Sequence, residues 1–371
     1  MKGTVLITGG AGFIGSHVAS ELLRQGYHVK VLDSLVPQVH GEKPIRPSYL
    51  HKDVEFVRGD IRDAAVLDDA LLGVEAVYHF VALVGVGQSM YQIAEYTSVN
   101  NLGTASLLER LAKNRVSKLV VASSMSVYGE GLYLAPDGKP HATAARTTTQ
   151  LKAHEWEMKT AAGVPLRPVP TPETKQPSLA SVYALSKYDQ EQMCLMVGRA
   201  YGIPTVALRF FNAYGPYQAL SNPYTGVLAI FASRLMNGQR PIIFEDGRQL
   251  RDFVSVYDVA RACRLALEVE AARDQIFNIG SGCTVTVQEV AERLGKVLGK
   301  SIAPEISAKY RVGDIRHCFP DISLARDVLG YRPAVTLEDG MRDLAEWLEQ
   351  QTAPDRFNEM RAELTARGLV V

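Results

Sequence analysis

Thr4-Val5-Leu6-Ile7-Thr8 runs directly into Gly9-Gly10-Ala11-Gly12-Phe13-Ile14-Gly15, and residues 13–25 then carry a helical pattern. Strand, glycine turn and helix in that order open a dinucleotide-binding α/β fold. Gly9 permits the tight turn, Gly12 lets the backbone approach a pyrophosphate, and Gly15 lets the helix pack closely on the strand. The start of that helix offers unbonded N–H groups and a positive dipole end to phosphate oxygens.

Outward from this unit, strand-like apolar runs follow at 28–33, 54–60, 76–82 and 118–124, with helical patterns at 64–72 and 105–113. A long helical pattern at 183–201 leads to a sixth strand at 204–211. Near-continuous apolar strands joined by helices predict a parallel sheet covered on both faces. The fold class is therefore α/β, a Rossmann doubly wound parallel sheet. A smaller C-terminal α/β domain for the substrate is expected, with helices at 230–236, 287–298, 323–329 and 337–349 and a loop at 221–224. The expected division is 1–212 plus about 253–285 for the dinucleotide domain, and 213–252 with 286–371 for the substrate domain. Residues 130–180, rich in proline, read as a surface insertion with a helical piece near 150–160. The charged amphipathic tail at 356–367 is expected on the surface or against a partner chain.

Asp33 ends the second strand, 18 residues after Gly15. A carboxylate there accepts hydrogen bonds from the adenosine ribose hydroxyls and repels a 2′-phosphate, which favours NAD over NADP. Asp60-Ile61, at the end of the third strand, can hold the adenine edge and face, and the other reading of Asp60 is a helix cap.

The 371 residues contain 40 Lys+Arg and 40 Asp+Glu, so no basic excess points to nucleic acid. No apolar run reaches the roughly 18–20 residues of a membrane span, and the first residues enter a strand without a signal-peptide pattern. Cys194, Cys263, Cys283 and Cys318 lie far apart without a CxxC pair. They read as reduced thiols of a cytoplasmic protein, and no metal is expected, with His141 and His154 of the insertion reading as solvated.

Tyr183-Ala184-Leu185-Ser186-Lys187 is a YxxxK set at the start of the long helix. Residues four apart share a helix face, so the Lys187 ammonium is expected near the Tyr183 phenol, lowering its pKa. A phenolate is a base suited to a sugar hydroxyl. Ser124 lies 59 residues before Tyr183, at the end of strand 118–124. Strand C-termini of such a sheet open on the ligand crevice, where Ser124 can bond the oxygen that Tyr183 deprotonates. Taken singly, each of these motifs has a bland reading as an accident of helix and strand composition. Together, beside a dinucleotide turn, they do not.

With these motifs in place the chain resembles the extended short-chain dehydrogenase/reductase family, in its nucleotide-sugar epimerase/dehydratase branch. The likeness rests on TGGAGFIGS (8–16), SSMSVYG (123–129), YALSK (183–187), RFFNAYGP (209–216), RDFV (251–254), NIG (278–280) and RVGD (311–314) with Arg316. The resemblance implies NAD contacts from Gly9, Gly12, Phe13, Ile14, Asp33, Asp60, Ile61, Phe80, Val81, Ala82 and Asn100. It implies that Tyr183 is the base, Lys187 its partner and a nicotinamide-ribose ligand, and Ser124 the hydrogen-bonding hydroxyl. It implies that Asn212, Arg251, Arg311 and Asp314 hold the nucleotide end of a dTDP- or UDP-linked sugar, and arginine forks suit a diphosphate. Helices 100–113 and 183–200 match those that form a homodimer interface in the family.

Family dehydratases place an Asp-Glu pair directly after the catalytic hydroxyl residue. Met125-Ser126 stand there in this chain, and neither works as an acid or base at neutral pH. The implied reaction is therefore 4-epimerisation through transient oxidation by NAD and a 4-keto sugar. Residues 33–41, 82–90 and 221–226 look like those of enzymes that turn dTDP-L-rhamnose into dTDP-6-deoxy-L-talose, and Val84 offers an apolar lining. UDP-glucose/galactose or UDP-glucuronate 4-epimerisation is the alternative within the class. A net NAD-dependent 4-keto reductase or dehydrogenase is the alternative outside it, and an idle NAD-sensing binding protein a third.

Overall fold

The computed structural model of the chain describes residues 2–42, 45–141, 146–219, 226–311, 313–349, 351 and 357–370. Seven strands form the large sheet: β1 (Lys2–Thr8), β2 (Tyr27–Asp33), β3 (Glu55–Arg58), β4 (Ala76–His79), β5 (Lys118–Ser124), β6 (Thr205–Phe210) and β7 (Ile276–Ile279). Their spatial order is 3-2-1-4-5-6-7, and every pairing is parallel. The order reverses between β1 and β4, which opens a crevice at the C-terminal ends of those strands. One face of the sheet packs Val18 and Leu22 of helix Phe13–Arg24 with Val259 and Cys263 of helix Val256–Glu268. The other packs Leu107 and Leu111 of helix Gly103–Lys113 with Cys194 and Leu195 of helix Val182–Tyr201.

The strands expected at 54–60 and 76–82 are shorter than their apolar runs, and β7 was not foreseen. It is four residues long, too short for periodicity to single out. The helix expected to begin at 100 starts as a π-helical turn, Thr97–Leu102. Asp63, not Asp60, caps the helix Ala64–Ala70, accepting from the Ala65 and Val66 N–H groups. Ser181 caps the long helix through the Ala184 N–H, and Gly202 ends it at φ 70°.

In the C-terminal half, Leu250–Ser255 pairs parallel with Asn212–Tyr214 and antiparallel with Thr284–Thr286. A separate core of Phe231, Leu235, Leu294, Met341 and Leu344 joins helices Val227–Met236, Val287–Val297 and Leu337–Leu348. The insertion holds more order than its sequence showed. Leu132–Leu134 pairs antiparallel with Pro140–His141 and with Arg167–Val169, and its helix is Thr148–Lys152 rather than 150–160. The insertion is tied down by buried charge. The Arg316 guanidinium, fully buried, bonds Glu157 of the insertion together with Glu245 and Asp246. Arg146 of the insertion reaches Glu245 at 2.7 Å.

The tail forms helix Phe357–Ala366 and lies on its own chain, with Met360 and Leu364 packed on Ile242 and Phe244. The expected 221–224 loop and most of the 221–226 segment lie outside the described residues. No described helix is long and apolar enough to cross a membrane.

Candidate active site

The glycine turn at the crevice has the geometry its sequence requires. Gly9 sits at φ 72°, where a Cβ would meet the Val81 nitrogen at 2.9 Å. At Gly15 a Cβ would stand 2.6 Å from the Gly10 Cα and the Gly9 carbonyl, so helix and turn pack too closely for any side chain. Gly12 differs. A Cβ there would meet only the Gly9 carbonyl, at 3.3 Å, and would otherwise project into open space. Gly12 also precedes the Phe13–Arg24 helix without a side-chain cap, leaving the first N–H groups, those of Phe13 and Ile14, for an outside acceptor. A cradle without side chains at a helix start fits a dinucleotide pyrophosphate.

Asp33 sits beside it. Its carboxylate accepts from the Ala11 N–H at 3.1 Å and from the Leu35 N–H at 2.9 Å. Each oxygen keeps acceptor capacity for a ribose hydroxyl. Tyr49, which the sequence reading passed over, donates to the Ala11 carbonyl at 2.9 Å. Asp60 spends its carboxylate on Arg62, at 2.6 to 2.9 Å, and these bonds hold its pKa below the usual carboxylate range. Ile61 is 3% exposed and packs on Gly103, so its side chain belongs to the core and not to an adenine face.

Phe80, Val81 and Ala82 follow β4 into the crevice, and the Phe80 N–H still bonds the Thr8 carbonyl. Asn100 is wholly buried. Its amide accepts from the Leu83 N–H at 2.7 Å and donates to the Ser186 hydroxyl at 2.9 Å. It therefore fastens the loop after β4 to the helix of Tyr183, in place of the direct cofactor contact expected of it. Val84, next on that loop, is 50% exposed.

Ser124 ends β5, and Tyr183 and Lys187 stand on the first turns of the long helix. The Ser124 hydroxyl hydrogen-bonds the Tyr183 phenol and lowers its pKa, but burial outweighs this and holds the phenol above its ordinary value. The expected lowering by Lys187 is absent from the chain alone. The Lys187 ammonium instead donates to Gln190 at 2.7 Å, and burial pushes it down to about 8. Ser126 donates to the Ser124 hydroxyl at 2.8 Å. Glu191, fully buried, is matched by Arg209 at 2.7 and 2.9 Å and by the Ser123 hydroxyl at 2.6 Å, which anchors the long helix to β5 and β6. Gln190, one turn after Lys187 on the same helix face, was not singled out from the sequence, because a glutamine on a helix carries no chemical signal by itself.

The expected diphosphate ligands are only partly available. Asn212 donates to the Asp252 carbonyl at 2.7 Å. The Arg251 fork is occupied by the carbonyls of Leu250, Ile315 and Arg316 and so braces the 315–316 backbone rather than presenting a free fork. Arg311 lies over the Phe244 ring, bonds Asp314 at 2.9 Å, and keeps 39% of its side chain exposed. Among the described residues no group of three His, Cys, Asp or Glu is placed to hold a metal, and His154 stacks on Trp156.

Comparison with known proteins gives the same picture. The model of the NAD dependent epimerase/dehydratase family matches residues 5–154 and 159–280. The dTDP-L-rhamnose 4-epimerase of Burkholderia thailandensis is 35% identical over 359 residues, 95% of this chain and 96% of that protein. The UDP-glucose 4-epimerase of Thermotoga maritima, solved with UDP-glucose, superposes with a TM-score of 0.77 at 31% identity, covering 94% of this chain and 99% of that one. The Thermus thermophilus UDP-glucose 4-epimerase, solved with NAD, gives 0.74 at 32% identity, covering 94% and 100%.

Proposed function

The chain belongs to the NAD-dependent epimerase/dehydratase family, and from that premise we propose that it inverts C4 of dTDP-L-rhamnose to give dTDP-6-deoxy-L-talose. It is a nucleotide-sugar 4-epimerase. NAD, when bound, supplies the acceptor that oxidises C4 and then gives the electrons back. The Gly12 cradle and the free helix start hold its pyrophosphate, and Asp33 takes the adenosine ribose. Tyr183 takes the proton of O4 and returns it when the keto sugar presents its other face. Ser124 donates to the same oxygen, and Lys187, one helical turn after Tyr183, would bond the nicotinamide ribose.

The observation that carries the reading is the pair Met125-Ser126 beside a complete Ser124-Tyr183-Lys187 set. Neither residue can move protons at the carbons next to C4, so the chemistry stops at oxidation and return. The sugar assignment is supported by the Burkholderia relative and by the exposed apolar side chain of Val84, which suits a methyl rather than a hydroxymethyl group at C5. Arg311, paired with Asp314 and 39% exposed, is the cation assigned to the diphosphate in this reading. Incubation with a panel of dTDP- and UDP-linked sugars tests the assignment. Turnover of dTDP-L-rhamnose well above UDP-glucose and UDP-glucuronate supports it, and the reverse preference replaces it with a UDP-sugar epimerase.

The enzyme works as a homodimer through helices 100–113 and 183–200 in this reading. Leu102, Leu185 and Met196 support it, being 56%, 46% and 54% exposed on those segments. Light scattering of the purified protein checks the mass. The four free thiols fit a cytoplasmic setting.

A further inference from the structure

Lys187 is 3% exposed, and Gln190 is its only hydrogen-bond acceptor among the described residues. An ammonium has three N–H donors and no acceptor, so two remain for other groups. Gln190 is itself wholly buried. Its amide nitrogen donates to the Val81 carbonyl at 3.1 Å and to the Thr104 hydroxyl at 2.9 Å. The orientation of this amide is forced, because a lysine can only donate and a carbonyl can only accept.

The groups below it complete the chain. The Thr104 hydroxyl donates to the Asn100 carbonyl. His79 touches the Thr104 hydroxyl with Nε2 at 2.8 Å and the Thr8 hydroxyl with Nδ1 at 2.9 Å. Burial and the Lys187 charge push the imidazole down to about 3, so it is neutral at working pH. Thr104 spends its hydrogen on Asn100, which assigns the imidazole N–H to Nε2 and leaves Nδ1 to accept from Thr8, while the Gln190 amide nitrogen lies 3.2 Å from that Nε2. The titratable groups around Lys187 are His79 from β4 and Tyr183, Glu191 and Cys194 from its own helix. Glu191 is committed to Arg209 and Ser123, and burial pushes the Cys194 thiol up to about 12.

We infer that Gln190 is a positioning residue, whose amide holds the Lys187 ammonium in place and couples it to the Val81 carbonyl at the cofactor side of the crevice. The inference rests on the reading of Lys187 as part of the catalytic set. Val81 packs against the Gly9 turn, so one side chain sets the lysine against the backbone that shapes the dinucleotide cradle.

Gln190→Met removes both functions at similar length, and Gln190→Glu restores an oxygen for Lys187. The holoenzyme labelled with [ε-13C]lysine reports the Lys187 titration directly, with the resonance assigned by Lys187→Met. The Met variant is expected to lower the Lys187 midpoint by about one pH unit. It is expected to carry the alkaline limb of kcat down with it, at a cost of about tenfold in kcat and less than about twofold in KM. The Glu variant, which keeps an acceptor for Lys187 but has no N–H for the Val81 carbonyl, is expected to raise the midpoint and recover part of kcat. A folded Met variant with an unchanged midpoint and pH profile overturns the inference. Should that variant not fold, an unchanged midpoint in the Glu variant overturns it equally. The titration needs no substrate, so it stands apart from the functional reading. Full activity in Lys187→Met would sink that reading while leaving the titration result intact.

Discussion

The hydroxyl of Ser126 lies 2.8 Å from that of Ser124 and donates to it, and the Ser126 N–H donates to the same oxygen at 3.2 Å. Both lone pairs of Ser124 are thereby taken, and its own hydrogen is left to point outward. In the proposed reaction Ser124 is thus set as a donor toward the oxygen shared by Tyr183 and the sugar. Ser124→Ala should lower kcat about 10²-fold, the usual cost of one donor to a developing oxyanion. Ser126→Ala removes only the orientation and should cost about fivefold. Steady-state kinetics check the order, and a larger loss for Ser126→Ala would contradict it.

Burial holds the Tyr183 phenol above its ordinary value, with the Ser124 hydrogen bond working against it. Among the described residues, the Ser124 hydrogen bond is the one influence seen to lower the phenol. In the proposed reaction the positive charge of bound NAD would supply further pull. Ultraviolet titration, differenced against Tyr183→Phe, should show Tyr183 ionising above about pH 10 in NAD-stripped protein and lower when NAD is restored. Equal midpoints in the two forms would show that the cofactor does not tune the base.

Two glycines of one turn should fail differently. Gly15→Ala drives a methyl to 2.6 Å from backbone atoms, and should cost both bound NAD and thermal stability. Gly12→Ala meets one carbonyl at 3.3 Å and otherwise fills the cradle. It should lose NAD while the melting midpoint of the NAD-stripped protein stays within about 2 °C of the parent. NAD released on denaturation, measured beside the melting curve, separates the two.

His79 is held down to about 3 by burial first and by the Lys187 charge second. Its folded pKa therefore lies below its unfolded value near 6.5. The unfolded state binds the extra proton between these values, so this contribution to stability is full above pH 6.5 and is lost as the pH falls toward 3. His79→Asn should flatten the acid side of the melting profile. Parallel profiles for parent and variant would assign the acid loss elsewhere.

Much of this was legible from the sequence, for physical reasons that differ by element. The glycine turn, Asp33, and the positions of Ser124, Tyr183 and Lys187 were readable because such a site needs fixed residue types at fixed spacing, whereas the turn of the Lys187 ammonium to Gln190 was not. β7 was not, because four buried residues carry no period. The small sheet of the insertion escaped for the same cause, its strands being two or three residues long. Arg251 and Asn212 show another limit. Their side chains suit a diphosphate equally well as they suit backbone carbonyls, and only the packing of Ile315 and Asp252 decides. Gln190 and Ser126 became visible once the partners of Lys187 and Ser124 were placed, since neither residue type carries a chemical signature.

In the proposed reaction C4 is oxidised and re-reduced within one site without loss of its hydrogen. dTDP-L-rhamnose deuterated at C4 tests this most directly, given to the purified protein with no added cofactor and followed by NMR. The expected result is conversion to the C4 epimer with deuterium retained at C4 and no exchange at C3 or C5. Washout of the label, exchange at C5, or a requirement for stoichiometric reduced cofactor would contradict it.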